Sequence, residues 1–183
     1  MTKLEYSYLA LPSAFYSLVS PLNHKGSSTI LFNKQLANKL NLSEKFISEL
    51  IDSKSETLEL IPSPFAQAYA GHQFGHFTML GDGRAMVMGE LIAQNQRFDL
   101  QLKGSGPTPY SRRGDGLATL KAMTREYIIS EAMDALNIPT SNALAVIATG
   151  ERVFRTVPEP GAMLVRIMKT VALRQALESS QTA

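Results

Sequence analysis

The sequence predicts an α+β domain, with an antiparallel sheet of about five strands and one long helix. Three observations carry the prediction. Residues 98–103 (Phe-Asp-Leu-Gln-Leu-Lys) alternate with period two, as a half-buried strand does. Runs at 85–92, 143–148 and 162–167 are apolar and of strand length. Between the first two runs lies one helix-length stretch, from about Leu117 to Leu136, closed by Asn137 and Pro139.

Composition sets the outer bounds. The chain has 183 residues, 44% hydrophobic and 19% charged, which is a globular balance rather than a disordered one. A formal net charge of +2 does not form the dense basic stripe of a nucleic-acid-binding module, so no nucleic-acid partner is expected. With Cys 0, disulfides and cysteine-based zinc sites are excluded. The first residues lack a basic stretch followed by an apolar run, and no segment has the length of a membrane span. A soluble, cytoplasmic protein with no membrane partner is the expectation.

The chain divides into three parts. Residues 1–64 are expected to be an N-terminal extension with short helices. It opens with an arm carrying Pro12, Pro21 and Gly26 among aromatics. Asn33 can cap a helix through Leu40, and Ser43 a second with Phe46, Ile47, Leu50 and Ile51 on one face. Residues 52–64 look like a connector.

Residues 65–167 are expected to form the main domain. A strand at 76–80, the turn signal Gly81-Asp82-Gly83 and the run at 85–92 suggest a hairpin. In strand 98–103, Phe98, Leu100 and Leu102 share one face, and Asp99, Gln101 and Lys103 the other. A turn at 158–161 is expected to join the last two strands. The order of three strands, one helix and two strands is that of a protein-kinase N-lobe, and other α+β domains share it.

Several residues have the chemistry of an anion site. Gly81, Gly83 and Arg84 could bring backbone N–H groups and a guanidinium to a phosphate, although Asp-Gly is also an ordinary turn pair. Lys103, at the end of its strand, can reach phosphates as a kinase strand lysine does. Glu126 or Glu131 of the helix could hold it, and the helical wheel alone leans to Glu131, which falls among Leu120, Tyr127 and Ile128. The loop 104–116 carries four glycines, two prolines, hydroxyls, Arg112 and Arg113, and is long for a connection without structure of its own. Asp115 could cap the helix at Leu117 or bind a ligand. An RNA-binding reading of Tyr110, Arg112 and Arg113 has too few basic residues behind it. His72 and His76 have helical zinc spacing, but Gly71 and Gly75 weaken a helix there and no glutamate stands at position 73. A dinucleotide-binding turn at 102–117 is rejected because Pro107 and Pro109 interrupt it.

Three motifs resemble the selenoprotein O family, also called YdiU: 69–75 (Tyr-Ala-Gly-His-Gln-Phe-Gly), 80–85 (Leu-Gly-Asp-Gly-Arg-Ala) and 101–112 (Gln-Leu-Lys-Gly-Ser-Gly-Pro-Thr-Pro-Tyr-Ser-Arg). The resemblance runs from about Leu11 to Arg166. It implies a protein-kinase-like fold that transfers AMP from ATP to Ser, Thr or Tyr hydroxyls of proteins. The nucleotide is flipped and a divalent metal, Mg2+ or Mn2+, is present. It implies that Gly81, Gly83, Arg84, Lys103, Asp115, Gly116 and Arg166 contact the nucleotide and that Glu126, not Glu131, pairs with Lys103. The family continues with a second arginine, where this chain has Leu173 with Arg174 one place off, and then with a C-lobe holding the catalytic base and metal ligands. Residues 168–183 are therefore expected to be an aberrant or truncated tail, with no catalytic or metal-binding residue in this chain. An ATP-binding portion that is inactive alone and leaves apolar surface exposed is the expectation. The alternative is a non-catalytic nucleotide-binding or protein-interaction module.

Overall fold

The computed structural model describes residues 3–24, 26–51, 64–73 and 75–170. Most of the expected connector, and the end of the expected tail, lie outside the described residues. Two 3-10 turns, Ser7–Ala10 and Ser13–Phe15, lead into β1 (Tyr16–Leu18) and β2 (Ser28–Phe32). Helices α1 (Lys34–Lys39) and α2 (Glu44–Ile51) follow, then β3 (Phe65–Gln73), β4 (His76–Gly81), β5 (Ala85–Ala93) and β6 (Gln96–Lys103). Helix α3 (Leu120–Ala135) precedes β7 (Asn142–Phe154) and β8 (Pro158–Lys169). The strands form one eight-stranded antiparallel sheet of order β1-β3-β5-β6-β8-β7-β2, with β4 paired to β3.

The α+β class holds, but the sheet is larger than the five strands expected, and the N-terminal extension is not only helical. Its β1 pairs with β3 and its β2 with β7, so the arm adds a strand at each end of the sheet order. The arm is fastened by a buried carboxylate. Glu90 is 0% exposed and accepts bonds from the Tyr8 backbone N–H (2.7 Å), from Arg97 Nη1 (2.5 Å) and from the Ser7 hydroxyl. A buried charge with this many donors is compensated; removing a donor would strand it. Beside it Tyr8 stacks on Phe65 with ring centroids 5.1 Å apart.

Helices cover both faces of the sheet. On one, Ala37, Leu40, Ile47 and Leu50 of the α1–α2 region meet Met88, Leu91, Leu100, Leu102, Leu144 and Val165. On the other, Met123 of α3 with Leu120 and Tyr127 meets Ala143, Val146, Ala162 and Leu164. Strand β6 is buried on both faces, contrary to the half-buried expectation: Asp99 and Gln101 are 6% and 1% exposed. The caps at Asn33 and Ser43 form as expected, with Asn33 Oδ1 accepting from Leu36 N (2.9 Å) and Ser43 Oγ from Phe46 N (3.0 Å).

Three boundaries differ from expectation. The 81–84 turn does not close a hairpin, because β4 pairs with β3 and β5 pairs with β6. The tight hairpin turn is Gln94-Asn95, with φ of 50° and 58°, the left-handed pair that a type I′ turn needs. Helix α3 starts three residues late because Thr119, not Asp115, caps it, accepting from Ala122 N at 3.3 Å. The β7–β8 turn lies at 155–157, and Pro158 and Pro160 are already in β8. His72 and His76 lie on the neighbouring strands β3 and β4, so the helical zinc pattern does not exist.

Candidate functional site

The candidate residues fall into two groups. Gly81, Gly83, Arg84, Asp115 and Gly116 line a cleft of about 800 Å³, together with Tyr69, Arg112, Arg113 and Arg155. Lys103, Glu126 and Arg166 form an ionic cluster at the junction of β6, α3 and β8.

The cleft is built by a loop seated on a glycine turn. Thr108 Oγ1 donates to the Asp82 carbonyl (2.6 Å) and Ser111 Oγ to the Gly83 carbonyl (2.5 Å). The Tyr110 ring lies where a Cβ on Gly81 would come within 2.4 Å of it, so the glycine is demanded by the loop's approach. Gly116 has φ +69° and lies so close to Gly106 that a Cβ would meet its carbonyl oxygen at 2.0 Å. These contacts give the glycines a structural reason to be present, in addition to any they have toward a ligand.

Arg155, which sequence reasoning missed, braces the far wall. Its guanidinium donates to both oxygens of Asp115 (2.7 and 3.1 Å) and to the Leu117 carbonyl (3.0 Å). The Asp115 carboxyl is held below its ordinary range, chiefly by that hydrogen-bonded arginine. Asp115 Oδ1 also accepts from Leu117 N (3.0 Å), closing a local turn instead of capping α3. Arg84, Arg112, Arg113 and Arg155 against Asp115 leave the cleft wall cationic.

In the ionic cluster, Lys103 Nζ donates to both oxygens of Glu126 (2.6 and 2.9 Å), and Arg166 Nη1 reaches the same carboxylate at 3.4 Å. Burial pushes the Lys103 ammonium below its ordinary value; Glu126 opposes this, and Arg166 and Arg84 add to it. Arg166 is pushed down as well, first by burial. Cations sharing a single carboxylate in a partly desolvated site favour an added anion. Glu131, the wheel's choice, is elsewhere: it accepts from Asn33 Nδ2 at 2.7 Å and ties α3 to the α1 cap.

A polar chain continues from this cluster into the sheet. Arg166 Nε donates to Gln101 Oε1 (2.5 Å), and Gln101 Nε2 donates to Asp82 Oδ2 (3.3 Å). Asp82 is 7% exposed, and burial raises its carboxyl to about 6 against the opposing pulls of Gln67 N–H, Arg166, Gln101 and Lys103. Asp82 and Gln101 were also missed. Gln101 shares the Lys103 face of β6, and that was the legible signal; Asp82, between two glycines, reads as turn and nothing more.

The carboxylates of this region are already engaged: Glu126 by Lys103 and Arg166, Asp115 by Arg155, and Asp82 by Gln67 N and Gln101. Among the described residues no group of three or more His, Asp or Glu side chains could hold a metal ion. The residues present do not fit Mg2+ or Mn2+. Among them, too, no helix is long and apolar enough to cross a membrane.

Comparison with known proteins places the chain in a family. The family model described as protein adenylyltransferase SelO matches residues 1–174. A protein nucleotidyltransferase YdiU of Clostridium botulinum (strain Alaska E43 / Type E3) is 54% identical over 171 residues, 91% of this chain and 35% of the relative. The Bacillus cereus (strain G9842) protein of that name is 51% identical over 168 residues, 90% of the chain and 34% of the relative. That of Clostridium perfringens (strain SM101 / Type A) is 53% identical over 169 residues, with 90% and 34% covered. The chain thus spans about a third of the length of these curated relatives. It belongs to the SelO family of protein adenylyltransferases.

Proposed function

We propose that the chain is the ATP-binding portion of a protein adenylyltransferase with a kinase-like N-lobe. The observation that carries the reading is the bidentate Lys103–Glu126 pair with Arg166 on the same carboxylate. A strand-borne lysine steadied by a helix glutamate is the arrangement that aims an ammonium at nucleotide phosphates. In this reading Lys103, Arg166 and Arg84 neutralise the phosphates. Gly81 and Gly83 bring backbone to the nucleotide, and Asp115 and Gly116 contact it from the loop. A hydroxyl of a target protein would form a bond to the α-phosphorus as the bond to the departing pyrophosphate breaks. Positioning and charge neutralisation are the contributions these residues could make to that step. We assign no catalytic base and no metal ligand within the chain. Both belong, on this reading, to the part of the full-length relatives that the chain does not span.

Two measurements test the proposal. ATP affinity of the chain is expected to fall roughly tenfold or more in Lys103→Ala, as loss of a charge-assisted phosphate contact predicts. Unchanged affinity would remove the reading. Transfer of label from α-labelled ATP to protein by the chain alone is expected to be negligible. Transfer at the rate of a full-length relative would overturn the assignment of the base elsewhere.

A further inference from the structure

An amide side chain has one donor end and one acceptor end, and a half-turn exchanges them. Gln101, 1% exposed, uses both: Nε2 points at Asp82 Oδ2 and Oε1 receives Arg166 Nε. The reversed amide would set an oxygen against the Asp82 carboxylate and an NH2 against the Arg166 guanidinium, two repulsive contacts in a buried place. Asp82 cannot move to relieve them. Its N–H donates to Gln67 O (2.9 Å), its Oδ2 accepts from Gln67 N (3.1 Å), and its carbonyl accepts from Thr108 Oγ1 (2.6 Å). The chain Asp82–Gln101–Arg166–Glu126–Lys103 therefore runs from the glycine turn through β6 and β8 to α3, with each link oriented by the one before.

We infer that Asp82 is a positioning residue: by accepting the Gln101 amide it fixes the acceptor end of Gln101 on Arg166 and so holds Arg166 and Lys103 about Glu126. The inference deepens, and rests on, the reading of Lys103 and Arg166 as the nucleotide's phosphate contacts. It makes a prediction that charge alone reverses. Removing a carboxylate near Arg166 strengthens the positive field, so by charge alone both Asp82→Ala and Asp82→Asn would bind ATP more tightly. Positioning separates them. In the wild type a single oxygen, Oδ2, accepts both from Gln67 N and from Gln101 Nε2. The amide oxygen of asparagine can do the same, whereas alanine cannot.

The test uses the full 183-residue chain, with ATP binding by calorimetry and the Arg166 Nε–H observed by NMR. Asp82→Ala is expected to weaken ATP binding by roughly tenfold and to lose the slowly exchanging Nε–H. Asp82→Asn is expected to retain the Nε–H and to bind at least as tightly as wild type. Asp82→Ala that keeps both the affinity and the Nε–H overturns the inference, as does Asp82→Asn that loses them. Should Asp82→Ala not fold by thermal melting, Asp82→Ser carries the same readouts; its hydroxyl stops short of Gln101 while suiting a turn. A wild-type chain without ATP affinity would defeat the nucleotide reading alone, and the Nε–H signal would still decide whether Asp82 orients Arg166.

Discussion

Replacing Asp82 by asparagine should stabilise the fold, and by an amount that depends on pH. Asp82 is 7% exposed, and burial raises its carboxyl from the ordinary 3.8 to about 6 although Gln67, Arg166, Gln101 and Lys103 all favour the charged form. The sign follows from proton counting. Below about pH 4 the carboxyl is protonated in both the folded and unfolded chain, and it contributes nothing. Between about 4 and 6 it is protonated only when folded, so unfolding releases a proton and stability falls as pH rises. Above about 6 it is ionised in both states and the cost of the buried charge is fully present. At about 1.36 kcal/mol per pH unit, that cost is roughly 3 kcal/mol. Asparagine keeps an acceptor for Gln67 and Gln101 and carries no charge. Urea denaturation of both proteins from about pH 4 to pH 8 should therefore show curves that coincide at the acid end and separate by roughly 3 kcal/mol in favour of Asp82→Asn at the alkaline end. A separation independent of pH, or an asparagine variant less stable at about pH 8, would refute the reasoning that burial of the charge outweighs its partners.

Two further substitutions probe the supports of the site. Asn33→Ala should cost about 1–2 kcal/mol by chemical denaturation, because it removes the cap on Leu36 N and the donor to Glu131 Oε1 together. Asn33→Asp should restore the cap yet set a carboxylate against Glu131, leaving a defect that shrinks as the pH is lowered and the pair protonates. Gly116→Ala should cost at least about 2 kcal/mol, since φ is +69° and the new Cβ would lie 2.0 Å from the Gly106 oxygen. An unchanged melting temperature would mean that the loop at 104–116 shifts freely, and the cleft would lose its fixed wall.

What was legible in the sequence followed local chemistry. The Asn33 and Ser43 caps and the period-two strand each depend on neighbours within a few residues, and each formed. What was not legible depends on surfaces brought together from afar. Helix α3 is the clearest case. The wheel treats Ile128 as part of the buried stripe, yet Ile128 and Ile129 are 58% and 53% exposed while Ser130 is buried. Ser130 earns that place by donating to Ser141 O (2.9 Å) and accepting from Ala143 N (2.8 Å), a contact to the following strand that no helical period encodes. With Ser130 and Met123 inward, Glu126 turns toward Lys103 and Glu131 toward Asn33, which is why the wheel favoured the wrong glutamate. Strand β6 errs the same way. Asp99, Gln101 and Lys103 looked like a solvent face, but Asp99 accepts from Thr170, Gln101 lies between Asp82 and Arg166, and Lys103 pairs with Glu126, so Gln101 becomes a buried link. Polar residues on a strand can be buried only where their hydrogen bonds are supplied by other elements. Here the suppliers are Asp82 from the glycine turn and Arg166 from β8, separated from Gln101 by 19 and 65 positions along the chain. The site is thus assembled from residues whose polarity argued for the surface, and the fold keeps them inside because each completes the hydrogen bonding of the next.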